Sequence, residues 1–256
     1  MVDESTTSDK MTPPITITPE RLSYKELPPL FKRLDYTVRR YFVDEFLYRH
    51  IKAFSKSDKI LDIGGKKISR RGQFNIEDWG LDVKYANIDP NTKPDILCDA
   101  TRIPTKGSIF DGVICSELLE HVKSPESVLK EAYRILRPQG ILLICVPFLY
   151  KIHSDPYDYG RYTETFWQET LREIGFTKIE IEKQGLFPSV IMDMLKNFAY
   201  EMQKEGRPRS TIIRVLFHKT IVCGQKKAFE LEKREYFKNH QFFKSFTTGY
   251  GIKGVK

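Results

Sequence analysis

An α/β fold, a mostly parallel sheet with helices on both faces, is predicted by three features of the sequence. Short apolar segments of strand length alternate with amphipathic stretches of helix length between residues 59 and 182. Residues 141–146 are apolar without interruption, which suits a central parallel strand covered on both faces. Acids stand at three successive strand ends, Asp62, Asp89 and Asp99, and Gly64 and Gly65 follow the first of them closely. Open α/β sheets bind ligands outside the carboxyl ends of their strands, so this arrangement describes a nucleotide-type cofactor pocket.

In chain order, residues 1–20 are Thr, Ser, Pro and charge and read as a disordered tail. Residues 21–57 read as a helical cap. Within it Phe42, Val43, Phe46, Leu47, Ile51 and Phe54 share one helical face, so a helix precedes the sheet and either packs on it or covers the pocket. Strand one is Lys59–Ile63. Strand two covers residues 83–88 and ends at Asp89. Strand three covers 95–98, and strand four covers 112–115 after the turn-like Asp111-Gly112. The helix at 125–136 has Ser124 as its N-cap and Pro125 at its first position. It buries Val128, Leu129, Ala132, Ile135 and Leu136, and Arg137-Pro138-Gln139-Gly140 breaks it. After the strand at 141–146, a helix over 164–174 ends at Gly175 in a left-handed cap, and a strand covers 178–182. Two amphipathic helices follow, at about 189–204 and 211–222, parted by Gly206-Arg207-Pro208 inside an insertion of about 187–240. Residues 246–255 form the last strand.

The 256 residues allow one elaborated domain, 58–256, behind the cap. The net charge of +8 suits nucleic acid, an anionic membrane or a phosphorylated substrate, and equally a solvated basic surface. Cys98, Cys115, Cys145 and Cys223 form no C-x-x-C pair, so zinc is not expected. Three of them lie in or beside strands, and a reducing, cytoplasmic compartment fits. No signal-peptide core opens the chain, and no apolar run reaches the ~18 residues that span a bilayer.

The glycine turn lets a backbone approach a ligand closely. Lys66 and Ile68 stand where a dinucleotide fingerprint carries further glycines, which argues against a cradled pyrophosphate. An acid at the place of Asp89 can accept from both hydroxyls of a ribose. The order Leu61-Asp62-Ile63-Gly64, Asn87-Ile88-Asp89, Asp99-Ala100-Thr101-Arg102-Ile103-Pro104, the run from Phe110 to Val122 and Arg134-Ile135-Leu136-Arg137-Pro138-Gln139-Gly140 resembles the class I S-adenosylmethionine-dependent methyltransferases, in their small-molecule, type 11 branch. The resemblance covers about residues 58–182. It implies a Rossmann-like sheet of seven strands, the last one antiparallel beside strand five, with S-adenosylmethionine as cofactor. By position, Asp62, Gly64 and Gly65 would lie at the cofactor's amino-acid part. Asp89 would hold the ribose, Asp99 and Ala100 would flank adenine, and Ser116 and Glu117 would line the floor. Lys66 departs from the family's glycine; Lys66 and Lys67 would face the cofactor carboxylate or weaken binding.

The segment His153-Ser154-Asp155-Pro156-Tyr157-Asp158-Tyr159-Gly160-Arg161-Tyr162-Thr163 is similar to a subset of these enzymes found with cell-surface glycan biosynthesis. Methyl transfer to a hydroxyl needs a base, and His titrates near neutral pH. His153 is the first candidate. Asp158 would orient it or bind sugar hydroxyls, and Arg161 and Tyr157 would bind the acceptor. Alternatively, Asp158 and Arg161 pair to fix the loop and Thr163 caps the next helix. His121 is the rival base. If a helix continues from strand four, Glu117, Glu120 and His121 share one face, a spacing that can also hold a divalent metal, although none is expected.

The acceptor is thus expected to be a small molecule, a sugar or a lipid-linked glycan. An RNA-modifying methyltransferase is the alternative, against which no compact nucleic-acid module is visible. A catalytically silent, cofactor-binding partner subunit is another. The late helices, apolar at Val190, Ile191, Met194, Leu195, Phe198, Met202, Ile212, Ile213, Val215, Leu216 and Phe217 and flanked by Arg207, Arg209, Arg214 and Lys219, form a lid, a dimer interface or a peripheral membrane contact.

Overall fold

Strand periodicity builds the centre of the molecule. The computed structural model describes residues 33–67, 72–206 and 211–256; the expected tail, the Arg207-Pro208 break and Ile68 lie outside them. The strands β1 (Lys59–Ile63), β2 (Asp82–Asn87), β3 (Ile96–Leu97), β4 (Phe110–Ser116) and β5 (Leu136–Pro147) pair in parallel. With β6 (Thr177–Lys183) and β7 (Gly249–Val255) they form one seven-stranded sheet in the order β3-β2-β1-β4-β5-β7-β6. β7 runs antiparallel to β5 and β6, as expected of the last strand. The order reverses between β1 and β4, the switch point where such sheets open a crevice.

Successive residues of a strand face opposite layers, and β5 shows why an unbroken apolar run was needed. Leu142, Ile144 and Val146 enter one core, with Val128, Leu129 and Ala132 of α2 (Pro125–Ile135) and Trp167 and Leu171 of α3 (Glu164–Ile174). Leu143 and Cys145 enter the other, with Val43, Phe46 and Leu47 of α1 (Val38–His50). Cys115 and Cys145 are buried free thiols, as small core hydrophobes should be.

Several local expectations change. The Arg137–Gly140 stretch lies within β5: Phe110 pairs with Leu136 and Gly112 with Ile141, so residues 137–140 bulge from the ladder. Ser124 stands at an N-cap, but its hydroxyl binds the Glu126 and Ser127 side chains. Thr163 likewise caps α3 without a side-chain hydrogen bond. Gly175 does end α3 at φ 112, donating to the Leu171 and Arg172 carbonyls. The late helices are α4 (Phe187–Lys204) and α5 (Thr211–Glu232), followed by the short α6 (Glu235–Asn239) and α7 (Gln241–Lys244). α5 outruns its expected end at 222 because Ala228 and Phe229 keep a buried side, with Phe229 against Tyr41 and Phe42 of α1.

Candidate active site

The carboxyl edge of the sheet carries the first wall of the site. A Cβ at Gly65 would lie on the Asp62 carboxylate, and Gly64 has φ 81 with Leu118 against the place a Cβ would take. Only glycine fits this turn. Asn87 fastens it: its Nδ2 donates to the Gly64 and Gly65 carbonyls at 3.0 Å each. Its Oδ1 accepts from the Asp89 amide at 3.0 Å, so one amide side chain links the turn to Asp89. Sequence reasoning gave Asn87 no role; its place two residues before Asp89 was the available signal.

A cavity of about 1500 Å³ opens at this edge. Asp62, Gly64, Gly65, Asp89 and Asp99 line it, with Ala100, Ser116 and Glu117. Asp89 Oδ1 accepts from the backbone and side chain of Asn91, and Asp99 Oδ1 from the backbone and hydroxyl of Thr101. One oxygen of each carboxylate thus stiffens its loop, and the other accepts no hydrogen bond from the described residues. Lys66 lines the cavity, with its Nζ 3.5 Å from Asp155, whereas Lys67 turns away to Asp95 at 2.5 Å.

Glu117 departs from expectation. Only a single turn, Leu119–His121, follows β4, so Glu117 shares no helical face with Glu120 and His121. It sits at φ 54, a left-handed conformation rare for such a residue. Its carboxylate forms a two-pronged ion pair with the buried guanidinium of Arg39, Nε to Oε2 at 3.0 Å. Burial works to raise the Glu117 pKa, but the Arg39 charge outweighs it and holds the carboxyl low. Arg39 also donates to Gln184 Oε1 at 3.1 Å, and its backbone amide to Asp193 Oδ1 at 3.0 Å. No sequence pattern marked Arg39.

The loop after β5 carries the second wall. His153, Ser154, Asp155 and Tyr157 line the cavity beside His121. His121 Nδ1 lies 2.6 Å from the Tyr157 carbonyl, and His153 Nδ1 3.2 Å from that of Lys151. A carbonyl only accepts, so each Nδ1 carries the proton and each Nε2 keeps its lone pair. The rings meet edge to face at 4.9 Å. Burial lowers the His153 pKa, which favours the neutral ring. Glu120 is buried with no hydrogen bond to either carboxyl oxygen among the described residues, and its Oε1 is 3.6 Å from His121 Nε2. Burial, then the Glu117 charge, pushes its pKa up to about 8. Glu120, His121 and His153 offer ligand atoms all within 4.8 Å of one another, the group among the described residues that could hold a divalent cation.

Asp158 and Arg161 do not line the cavity. They pair through both carboxylate oxygens, and Asp158 Oδ2 accepts the His153 amide at 2.9 Å. Arg161 holds Asp158 down at about 2. The expected acceptor contact of Arg161 is therefore replaced by a loop brace that sets the backbone of His153.

The far rim comes from helices. Thr37 and Arg40 at the start of α1 line the cavity, as do Asn197, Tyr200, Glu201 and Lys204 of α4. Lys151 and Lys204 both reach Glu201, at 3.0 and 3.4 Å. A second cavity of about 360 Å³ adjoins, sharing Tyr150, Lys151 and Asn197 with the first and reaching Met194.

Comparison with known proteins agrees with this fold. A methyltransferase-domain family matches residues 45–144. A demethylmenaquinone methyltransferase of Mycobacterium bovis is 40% identical over 52 residues, 20% of this chain and 22% of that protein. The ubiquinone/menaquinone biosynthesis C-methyltransferase UbiE of Paraburkholderia phymatum is 30% identical over 120 residues, 38% of this chain and 49% of its own. The chain thus spans about half or less of the length of these relatives. Among solved structures, an S-adenosylmethionine-dependent methyltransferase of Archaeoglobus fulgidus shares the fold at TM-score 0.51 and 17% identity, over 85% of this chain and 94% of its own. The [4+2]-cyclase SpnF does so at 0.50 and 16%, over 85% and 80%. A cyclase among them shows that this fold alone does not fix a reaction.

Proposed function

We propose that the chain is a class I S-adenosylmethionine-dependent methyltransferase and that it moves a methyl group from that cofactor to an oxygen of a small acceptor, a sugar or lipid-linked glycan. The supporting observation is one cavity with two chemically different sets of lining residues: acids and glycines at the strand ends, and two histidines whose Nδ1 atoms meet backbone carbonyls.

The residues fit the cofactor. The Gly64-Gly65 turn leaves room that a Cβ would fill, and Asp89 stands just past β2 with one carboxylate oxygen unclaimed among the described residues. In this reading Asp89 holds the ribose hydroxyls, Asp99 and Ala100 flank adenine, and Asp62, Ser116 and Glu117 line the amino-acid end. The bound cofactor supplies a methyl group on a sulfonium, already a strong electrophile. The protein's remaining task is to aim the acceptor and take its proton. His153 Nε2 receives that proton, and the resulting imidazolium is held by the Lys151 carbonyl at Nδ1. His121 stands within reach as a relay or alternative base. Tyr157 lines the acceptor side.

The names of the relatives favour a second reading, C-methylation of a quinone-type ring. Both acceptors require a base on the same wall. Calorimetry of S-adenosylmethionine on wild type and Asp89→Ala is the first test. Micromolar binding, about −8 kcal/mol, largely lost in the variant, is expected. A folded wild type that binds nothing at millimolar cofactor would remove the enzyme reading and leave a silent partner subunit.

A further inference from the structure

The two late helices leave a large apolar surface uncovered. On α4, Ile191, Met194, Leu195 and Phe198 form one exposed stripe, Met194 and Phe198 being 52% and 56% exposed. α5 runs back along α4, with Phe217 against Phe198 and Gln225 bonded to Lys196. Its first turns expose Ile212, Ile213, Val215 and Leu216. Further along, the same face becomes polar: Lys219, Thr220, Cys223, Lys226 and Lys227 are exposed at helical spacing from Leu216.

We propose that this end of the α4–α5 hairpin inserts into an anionic lipid bilayer and delivers a lipid-anchored acceptor to the cavity. The inference rests on the proposed methyl transfer for its purpose, not for its geometry. Interfacial helices lie along the membrane surface and bury one apolar face to a depth of about 5–10 Å, a role that Ile212, Ile213, Val215 and Leu216 can fill. Lys219 flanks them about one turn later, and long lysine side chains reach headgroups while their stems stay in apolar surroundings. A graded face, apolar and then basic, matches a membrane interface. The pairing surface of a second copy needs no such order. No helix among the described residues is long and apolar enough to cross a membrane, so the contact is shallow.

The route to the cavity is continuous. Met194 belongs both to the apolar stripe and to the smaller cavity. That cavity shares Tyr150, Lys151 and Asn197 with the larger one. A chain lying along Met194 would place its polar head beside Lys151 and Lys204, two lysines that share the single carboxylate of Glu201 and so leave net positive charge for an anionic headgroup.

Sedimentation of the full chain with phosphatidylglycerol-containing vesicles, and with phosphatidylcholine alone, tests this against Ile212→Asp/Leu216→Asp. Cofactor calorimetry runs in parallel as the folding control. We expect binding to anionic vesicles that weakens in high salt, and a loss of about tenfold or more in the double variant, with cofactor binding unchanged. Absence of vesicle binding, or binding that ignores the double substitution, overturns the proposal. So does a stable dimer that the double substitution splits, since a second copy would then cover the face. Vesicle binding that fails while cofactor binds removes only the docking; the reverse result removes only the methyl-transfer reading.

Discussion

His153 shows how small contacts set a residue's chemistry. Its amide is held by Asp158 and its Nδ1 by the Lys151 carbonyl, so backbone and tautomer are both fixed in a residue that lines the cavity. Burial lowers its pKa from 6.5, so the rate with a hydroxyl acceptor should rise with pH to a plateau, with the inflection below 6.5. His153→Ala should lower kcat by about 10²–10⁴ and remove that inflection while cofactor binding persists. An unchanged pH profile in the variant would assign the proton to His121. Glu120 makes a separate prediction about stability. Its carboxyl titrates near 8 in the fold against an ordinary 4.5. Between those values the folded chain binds the proton and the unfolded chain releases it, so stability falls as pH rises through this window. Glu120→Gln should flatten the dependence and exceed wild type at pH 8 by on the order of a few kcal/mol, read from urea melts at several pH values.

At the scale of elements, α1 is the informative one. Its apolar residues meet the sheet, yet Arg39 and Asp44 are buried as well, because α4 and the cavity cover its other side. Asp44 accepts the Tyr36 hydroxyl and the Gln73 amide, at 2.7 Å each. Arg39 ties α1 to the end of β4 through Glu117 and to α4 through Asp193. Removing one partner of a buried ion pair strands the other charge. Arg39→Leu should therefore cost about 3–5 kcal/mol. Arg39→Leu/Glu117→Leu should recover part of the loss, measured as denaturant midpoints. If the single variant melts like wild type, the pair contributes nothing to holding the cap on the pocket.

Across the whole molecule, the hairpin, cap helix and sheet edge converge on one opening. Asp62 lies in β1 at the switch point of the sheet, Asp89 and Asp99 follow β2 and β3 beside it, and the histidine loop leaves β5 on the other side of β4. The helical rim comes from α1 and α4, which are far apart in sequence and joined by Arg39 and Asp193. The net charge of +8 has no single destination in sequence. In the fold, several of its lysines stand along one exposed face of α5, beyond the apolar turns that the docking proposal places in lipid.

The sequence by itself determined the sheet, its helices and the acids at its strand ends. These follow from the period of apolar residues and from turn chemistry, which act over neighbouring positions. It also located the glycine turn, since Gly64 and Gly65 stand where a Cβ has no space. Only the tertiary structure decided what Glu117 and Arg161 do. Glu117 lines the cavity as expected but is also paired with Arg39 from 78 residues away, and for Arg161, left open between an acceptor contact and a loop pair with Asp158, the fold shows the loop pair. Tertiary structure also brought Glu120, His121 and His153 together and gave Asn87 its role at the turn. A buried charge takes its meaning from the partner that desolvates with it, and no local pattern specifies which distant residue that will be.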